Sequence, residues 1–309
     1  MKRALPFIAF AAAALGPATA DVAPPSHFES AVTVADAPLN EDLFSPFEAG
    51  PDAVKLTAVY RGYFGPLTLG TITLTATFDG DKYEVTSFLK TEGLVDVFAS
   101  NDLRTQTLGR IENGVRAPEI YRSQLFKKDD PNQLVELVYN ETGARLWSQP
   151  AYNLERYPVT ADDIKGSADP MSSLLLIGIA GGMDTPPCEG VTRVFDGKRR
   201  YNLNLSDNGV TTLKARSKKD YGGETYKCAA LYEQVAGFKS QKTAEDYASL
   251  WLADIPEFSL RAPVKISYPT DFGSVVLKAK LLKVTSADEK VLLAGKCEPD
   301  ADVCRSGKR

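Results

Sequence analysis

The stretch TITLTATF, residues 71–78, alternates without a break between threonine and an apolar residue. This period of two, carried by residues of high β-propensity, predicts a strand with one face buried. Asp79-Gly80-Asp81 follows as a hairpin turn, and residues 83–89 are predicted to return beside it. We therefore expect antiparallel sheet at this point of the chain.

Segments with strand character lie on both sides of this hairpin. Further strands are predicted at residues 54–61, 103–111, 118–126, 133–140, 143–149, 191–196, 199–206, 209–216, 225–236, 262–268 and 274–284, with a less distinct one at 287–295. Short strands separated by turn residues predict an all-β, mainly antiparallel sandwich or barrel-like sheet. A short helical turn is expected near residues 93–100.

One helix is predicted within this series, at residues 169–182. Asp169 suits the cap, Pro170 the first helical position, and the glycines at 181 and 182 the end. Residues 171–183 carry no charge, and a helix that is apolar on every side must be buried. In a β protein, the concave face of a curved sheet is the place to bury it.

Composition supports a single folded domain. The chain has 309 residues, of which 43% are hydrophobic and 25% are charged, as in an ordinary globular protein. No internal repeat is evident, so one large β domain is favoured over two small ones. The formal net charge of −4 and the pI of about 5.3 argue against a nucleic-acid-binding protein.

The N-terminus predicts export. Lys2 and Arg3 precede an apolar run at residues 4–16, and Ala18-Thr19-Ala20 suits a cleavage site. This pattern predicts a signal peptide over residues 1–20, cleaved after Ala20, and hence a periplasmic protein. The alternative of an uncleaved anchor is disfavoured, because the apolar run is short for a membrane span.

Domain boundaries follow from the same scan of the chain. Residues 21–52 are rich in proline and alanine and are predicted to form a flexible arm or linker. Residues 53–285 are assigned to the β domain. Residues 286–309 would form a C-terminal strand and tail that carries a small disulfide loop.

The four cysteines predict two disulfides. An exported chain with Cys188, Cys228, Cys297 and Cys304 allows three pairings. Sequence proximity favours Cys297–Cys304, which leaves Cys188–Cys228. A four-cysteine zinc site is the alternative, but the spacings contain no C-x2-C motif.

The sequence lacks the residues that several kinds of catalytic site require. His27 is the single histidine and lies in the predicted arm, where a solvated surface position is the simplest interpretation. Histidine-based triads and histidine zinc sites are therefore disfavoured, and no phosphate-binding glycine loop occurs. We expect no enzyme activity, no cofactor and no metal site. A hydrolase using paired carboxylates is the least favoured alternative.

One basic stretch could bind a partner. Lys198, Arg199 and Arg200 follow a turn, and a second basic group comprises Lys214, Arg216, Lys218 and Lys219. If residues 199–206 and 209–216 pair as a hairpin, the two groups meet in one cationic patch. Such a patch would suit anionic lipid head groups or an acidic partner. The alternative is a solvated hairpin edge whose lysines block strand pairing.

An ordered series of short motifs resembles the DUF3108 family of exported bacterial proteins. The motifs are Tyr60-Arg61-Gly62 with Gly70, residues 169–175, Cys188, residues 195–201, Cys228, residues 236–238, Trp251-Leu252, Pro263-Val264 and residues 273–276. The resemblance implies an envelope protein whose curved sheet forms an incomplete barrel around one buried helix, similar to periplasmic lipoprotein carriers. It also implies the Cys188–Cys228 disulfide. The family has no settled activity and supplies no catalytic residues.

Two functional hypotheses follow. In the first, the concave face binds a lipid, another hydrophobic ligand or a protein segment, with Leu74, Phe78, Phe88 and Trp251 lining it and the helix as plug. The alternative is an envelope interaction or scaffold protein without a small ligand. It would act through edge strands, the basic hairpin and the arm. In both, contact with the membrane is peripheral at most.

Overall fold

The computed structural model describes most of the chain from residue 32 to residue 294. The described ranges are 32–39, 43–45, 47–92, 101–112, 115–127, 132–141, 143–179, 187–215, 220–240, 247–255, 260–270, 272–286 and 289–294. The predicted signal peptide, His27, the predicted helical turn at 93–100, Arg216, Cys297 and Cys304 lie outside these ranges.

Fifteen strands in the described ranges form one sheet. They are β1 (Val32–Val34), β2 (Val54–Phe64), β3 (Leu67–Asp79), β4 (Lys82–Thr91), β5 (Asn101–Glu112), β6 (Val115–Lys127), β7 (Gln133–Asn140), β8 (Gly143–Gln149), β9 (Gly190–Phe195), β10 (Arg200–Leu213), β11 (Gly223–Ala236), β12 (Tyr247–Ile255), β13 (Leu260–Thr270), β14 (Gly273–Thr285) and β15 (Glu289–Ala294). Two helices, α1 (Ala161–Ile164) and α2 (Pro170–Ile179), lie between β8 and β9.

The sheet is antiparallel except at one edge, and it is not closed. Its strand order is β1-β8-β7-β6-β5-β4-β3-β2-β14-β13-β12-β11-β10-β9, and β15 pairs with β14 off this path. Only β1 runs parallel to its neighbour, β8, within the ranges described. The predicted all-β, mainly antiparallel class is therefore confirmed. No helix in the described part of the chain is long and apolar enough to cross a membrane.

The structure corrects the strand predictions at β10 and β12. Residues 199–206 and 209–216 do not pair as a hairpin, because β10 runs straight through them beside β11. The expected turn is a bulge between Asp207 and Val210, where Gly209 has φ +76° and donates its N–H to Asp207 Oδ1. A glycine at positive φ suits a bulge as well as a turn. Strand β12 was missed, because the run of four apolar residues from Leu250 to Ala253 interrupts the alternation.

The main core is formed by buried residues of strands β2–β4, β6–β8 and β12–β14. Leu74 and Phe78 of β3 are half-buried and pack against it, as expected. Phe88 was also expected there, but it is 41% exposed. Its direct partner on β3 is Thr73, whereas Leu74 pairs with Ser87. Because directly opposite residues share a face, Phe88 projects with the threonines away from the core.

Helix α2 begins as its sequence predicts. Asp169 Oδ1 accepts the backbone N–H groups of Met171 (2.8 Å) and Ser172 (3.1 Å), and Pro170 is the first residue. The side chains of residues 171–173 are buried, and α2 contacts strands β4, β5, β6, β9 and β13. The predicted glycine end at 181–182 is outside the described residues.

The Cys188–Cys228 disulfide joins the segment before β9 to strand β11. Both cysteines are fully buried, in a second core cluster with Tyr201, Leu203 and Leu250. This pairing, which remained once proximity assigned Cys297 to Cys304 and which the family resemblance also implied, is confirmed.

The segment before β2 docks on the face of the sheet that points away from the core. A polar row crosses this face, in which Gln106 of β5 lies opposite Arg122 of β6 and Arg122 lies opposite Glu136 of β7. Arg122 Nε donates to Glu136 Oε2 at 3.0 Å, and both side chains are almost wholly buried. The segment covers them: Leu39 N–H donates to Glu136 Oε1, and Gln106 Nε2 donates to Ser45 O.

Candidate functional site

A cleft opens where the two ends of the unclosed sheet approach each other. Its volume is about 580 Å³, within the usual range for small-molecule sites. One wall is the start of β6 and the β7–β8 turn, and the other wall is β9 with Leu205 of β10. Residues 164–168, which follow α1, line it between these walls.

Hydrogen bonds link the two walls of the cleft. Ala168 N–H donates to Arg193 O, and Phe195 N–H donates to Ala168 O, each at 2.9 Å, so Ala168 covers the free edge of β9. Tyr139 of β7 donates its hydroxyl to Phe195 O, also at 2.9 Å. Burial raises the pKa of Tyr139 well above its usual range, which keeps the hydroxyl protonated as a donor. Backbone hydrogen bonds and the Tyr139 hydroxyl therefore fix the position of one wall relative to the other.

The rim of the cleft carries both signs of charge. Lys165 and Arg193 are exposed there, as are Glu141 and Glu189. Arg193 also donates to Asp162 O at 3.2 Å. Apolar groups such as Ile164, Val191 and Leu205 line the space between. The arrangement suits an apolar guest with little net charge.

Asp169 anchors the wall of the cleft to α2 from within the core. Besides the two N–H groups it caps, its carboxylate accepts hydroxyl hydrogen bonds from Thr107 (2.7 Å) and Ser172 (2.5 Å). Tyr83 in turn lies 2.8 Å from Ser172 Oγ. Burial raises the pKa of Asp169 above its ordinary value, and the hydrogen bonds oppose this shift. One carboxylate thus joins strand β5, helix α2 and the cleft segment.

Replacing Asp169 should destabilise the protein. We expect Asp169→Ala to lower the free energy of unfolding by about 2 kcal/mol, through the lost cap and the buried hydroxyls left without an acceptor. Asp169→Asn keeps one oxygen acceptor and should cost less. Urea unfolding of both variants measures this, and equal stability of parent and Asp169→Ala would contradict it.

The contribution of Asp169 to the free energy of unfolding should depend on pH in a definite direction. Because the folded-state pKa lies above the ordinary value of 3.8, the folded protein holds this proton more tightly than the unfolded chain. The stability contributed by Asp169 is thus largest in acid and falls as the pH rises above 3.8. The advantage of the parent over Asp169→Asn should shrink from mildly acidic to neutral pH, whereas an advantage that grows would contradict the assignment.

The structure divides the predicted basic patch. Arg200 is buried and donates from Nε to Asp163 O (2.7 Å), and burial together with Arg193 lowers its pKa to about 10. Lys198 lies over the Tyr152 ring and Arg199 over the Phe238 ring. Lys214 is exposed at the far end of β10, roughly 45 Å from Arg200 by strand rise. The continuous strand keeps these basic groups apart, so the predicted joint patch was wrong.

Trp251, the last predicted contact residue, packs against the main core like Leu74 and Phe78, and two lysines lie against its ring. The ammonium of Lys265 lies 3.8 Å from its ring centre and that of Lys227 lies 5.6 Å away. Sequence reasoning missed these lysines. The available signal was that Lys265 stands between the apolar residues Val264 and Ile266 of β13, which places it on the opposite face of the strand from them.

Comparison with known proteins identifies the family. A family model described as a protein of unknown function (DUF3108) matches residues 59–280. The chain belongs to the DUF3108 family. A similar solved structure is a beta-barrel-like protein of domain of unknown function DUF1849 from Brucella abortus. It has 12% identity and a TM-score of 0.48, over 78% of this chain and 100% of that chain. No curated protein matches the chain.

The DUF3108 region contains the walls of the cleft, helix α2 and the Cys188–Cys228 disulfide. The N-terminal segment that covers Glu136 lies outside it. Within the described ranges, no group of three or more His, Cys, Asp or Glu side chains is placed to hold a metal ion.

Proposed function

We propose that this DUF3108 protein is a non-enzymatic, periplasmic protein of the cell envelope that binds a hydrophobic chain in the cleft between its sheet ends. The guest would be an acyl chain of a lipid or an apolar protein segment. The observation that carries the proposal is the cleft of about 580 Å³ between β7 and β9, where Ile164, Val191 and Leu205 provide apolar lining inside a charged rim. A closed barrel would leave no such gap.

Helix α2 is proposed as the inner plug of this half-barrel, in the manner of lipoprotein carriers. The support is local: Asp169 fixes the first turn of α2 directly beside the segment that lines the cleft. A guest entering between β7 and β9 would meet the Ala168 bridge and then the start of α2. Displacement of that bridge would extend the cleft toward the core.

The first test is mass spectrometry of organic extracts of protein purified natively from the periplasm. A lipid in stoichiometric amount, absent from a control protein carried through the same steps, is the expected result. Recovery of empty protein, together with failure to bind an added fluorescent fatty acid, would contradict the proposal.

A pair of matched variants locates the guest. Val191 lines the cleft and is 57% exposed, whereas Val210 is 56% exposed on β10 and does not line it. Val191→Trp should obstruct the cleft and weaken fatty-acid binding by about tenfold or more, equivalent to ~1.4 kcal/mol. Val210→Trp adds the same apolar surface elsewhere and should bind like the parent. Equal effects of the two variants would place the guest outside the cleft.

An envelope scaffold without a small ligand is the second candidate. The parallel strand β1 pairs only with residues 144–146 of β8, so much of that edge has no strand partner among the described residues. If the purified protein is empty, crosslinking in intact cells through β8 is the next experiment. The basic hairpin, which was part of this hypothesis, no longer contributes to it.

A further inference from the structure

The N-terminal segment, residues 32–39 and 43–45, crosses the outer face of the sheet from β8 to β5. Hydrogen bonds at four points join backbone atoms of this segment to the sheet. They are Ala35 N–H to Leu146 O (2.8 Å), Arg145 Nη2 to Ala37 O (2.6 Å), Leu39 N–H to Glu136 Oε1 (2.5 Å) and Gln106 Nε2 to Ser45 O (2.7 Å). Every residue except proline carries the same N–H and C=O groups, so these bonds do not depend on the sequence of the segment.

The side chains of the segment bury little apolar surface. Where the structure describes its side chains, all are exposed or half-buried, and Val34 and Leu39 are 57% and 52% exposed. One aromatic contact adds to the backbone bonds: the guanidinium of Arg104 lies 4.3 Å from the ring centre of Phe44. Since exposed apolar side chains add little to the stability of a docked segment, another extended polypeptide could bind here equally well.

The surface beneath the segment consists of Arg104, Gln106, Glu136 and Arg145. Contacts within the sheet orient its charged groups. Glu136 Oε2 accepts from Arg122 Nε at 3.0 Å, and Glu136 Oε1 pairs with Arg145 Nη1 at 3.3 Å. The donors and acceptors that meet the segment are therefore positioned by the sheet itself.

Phe88 is an apolar side chain beside this surface that the N-terminal segment leaves uncovered. It lies on β4, directly opposite Arg104, and is 41% exposed. The same segment from a second copy of the chain would repeat the bonds already present and would leave Phe88 exposed. A different segment, with an apolar side chain at this point, would cover Phe88 and thereby gain an advantage over the chain's own segment.

We propose that the surface defined by Arg104, Gln106, Glu136 and Arg145 binds an extended segment of another protein in place of the chain's own N-terminal segment. The partner would supply backbone N–H and C=O groups, an aromatic ring over Arg104 and an apolar side chain over Phe88. The chain's own segment competes at a high effective concentration, because it is part of the same molecule. The surface shares no lining residue with the cleft, so the inference does not depend on a guest there.

Peptide binding to a variant with a released segment tests the proposal. Ala35→Pro/Leu39→Pro removes two N–H donors of the segment and leaves every side chain of the surface in place. A labelled peptide with the sequence of residues 32–45 should bind this full-length mature variant about tenfold more tightly than the parent, because the chain's own segment no longer occupies the surface. Equal affinities for the two proteins, or binding to neither, would overturn the proposal.

A matched control keeps the backbone donors. Ala35→Ser/Leu39→Ala changes the same two positions but retains both N–H groups, so it should bind the peptide as weakly as the parent. If it binds as tightly as the proline variant, side chains hold the segment and backbone recognition is wrong. Thermal unfolding checks that each variant is folded.

Substitutions in the released variant locate the bound peptide. Arg145→Met removes the donor to Ala37 O and should weaken peptide binding by about tenfold. Arg110→Met removes an arginine from an exposed ion pair outside the surface and should leave peptide binding unchanged. Equal losses in the two variants would place the peptide elsewhere and overturn the proposal.

Peptide variants test the chemistry expected of the partner. Phe44→Ala in the peptide removes the ring over Arg104 and should weaken binding about threefold. Val34→Thr changes an exposed side chain and should bind like the original peptide. Equal binding of the two peptides would contradict the aromatic contact.

The oligomeric state distinguishes another protein from a second copy of the chain. The parent should be monomeric in light scattering, because its own segment fills the surface. A dimer that the peptide dissociates would mean that a second copy supplies the segment, which overturns the assignment to another protein.

Discussion

Glu136→Ala should lower the free energy of unfolding by about 3–5 kcal/mol, the usual cost of breaking a buried ion pair from one side. Arg122 is 1% exposed and Glu136 is fully buried, with Nε and Oε2 at 3.0 Å. Removal of the carboxylate leaves the guanidinium charged and enclosed. Its Nη2 atom is already buried without a hydrogen-bond partner among the described residues, so the bond from Nη1 to Gln106 Oε1 would be the one that remains there.

Chemical unfolding monitored by tryptophan fluorescence measures this loss. The matched control is Glu119→Ala, because Glu119 pairs with Arg110 at 2.7 Å on an exposed surface, and its removal should change stability little. Replacing both buried partners, as Arg122→Met/Glu136→Leu, should cost less than Glu136→Ala alone, since no isolated charge remains. Equal stabilities of the two alanine variants would contradict the assignment.

The same substitution should release the N-terminal segment. Glu136 Oε1 accepts the N–H of Leu39, and Arg145, which pairs with Glu136 at 3.3 Å, donates to Ala37 O. Without the carboxylate, the N-terminal segment loses the hydrogen bond from Leu39 N–H to Glu136. Arg145, which donates to Ala37 O, also loses its ion pair with Glu136. Limited proteolysis under native conditions should therefore cut Glu136→Ala between residues 35 and 45 faster than it cuts Glu119→Ala.

Local patterns predicted the strands and the start of the helix. TITLTATF became β3, and Asp169-Pro170 opened α2, because alternation and capping depend on neighbouring residues. Strand β12 and the unbroken β10 could not be predicted in this way. A bulge is defined by the register against a partner strand, here Asp207 opposite Cys228 and Val210 opposite Tyr226, and periodicity within one strand carries no record of that register.

The candidate sites depended even more on distant contacts. Tyr139 meets Phe195 across the cleft over 56 positions, so neither residue signals the site alone. The lysines against Trp251 meet through the register of three strands, which places Lys227 and Lys265 directly opposite Trp251. Sequence reasoning grouped basic residues by closeness along the chain and therefore chose Lys198 and Lys214, which the fold separates.

Loss of the Cys188–Cys228 disulfide should lower the free energy of unfolding by about 4 kcal/mol. The bridge closes a loop with a sequence separation of 40, and the entropy that such a loop removes from the unfolded chain gives this value. Cys188→Ser/Cys228→Ser removes the bridge and tests it by urea unfolding. The two serines would also place hydroxyls in a fully buried cluster beside Leu203, which adds to the loss.

Reductant provides the internal control for this disulfide and a test of the remaining cysteines. It should lower the stability of the parent toward that of the double-serine variant, and non-reducing peptide mapping should recover the 188–228 pair. In the variant, a further response to reductant reports the predicted Cys297–Cys304 bridge, whose short loop should contribute about 2.5 kcal/mol. A parent that is insensitive to reductant would contradict a stabilising role for either bridge, because both constrain the unfolded chain by the same mechanism.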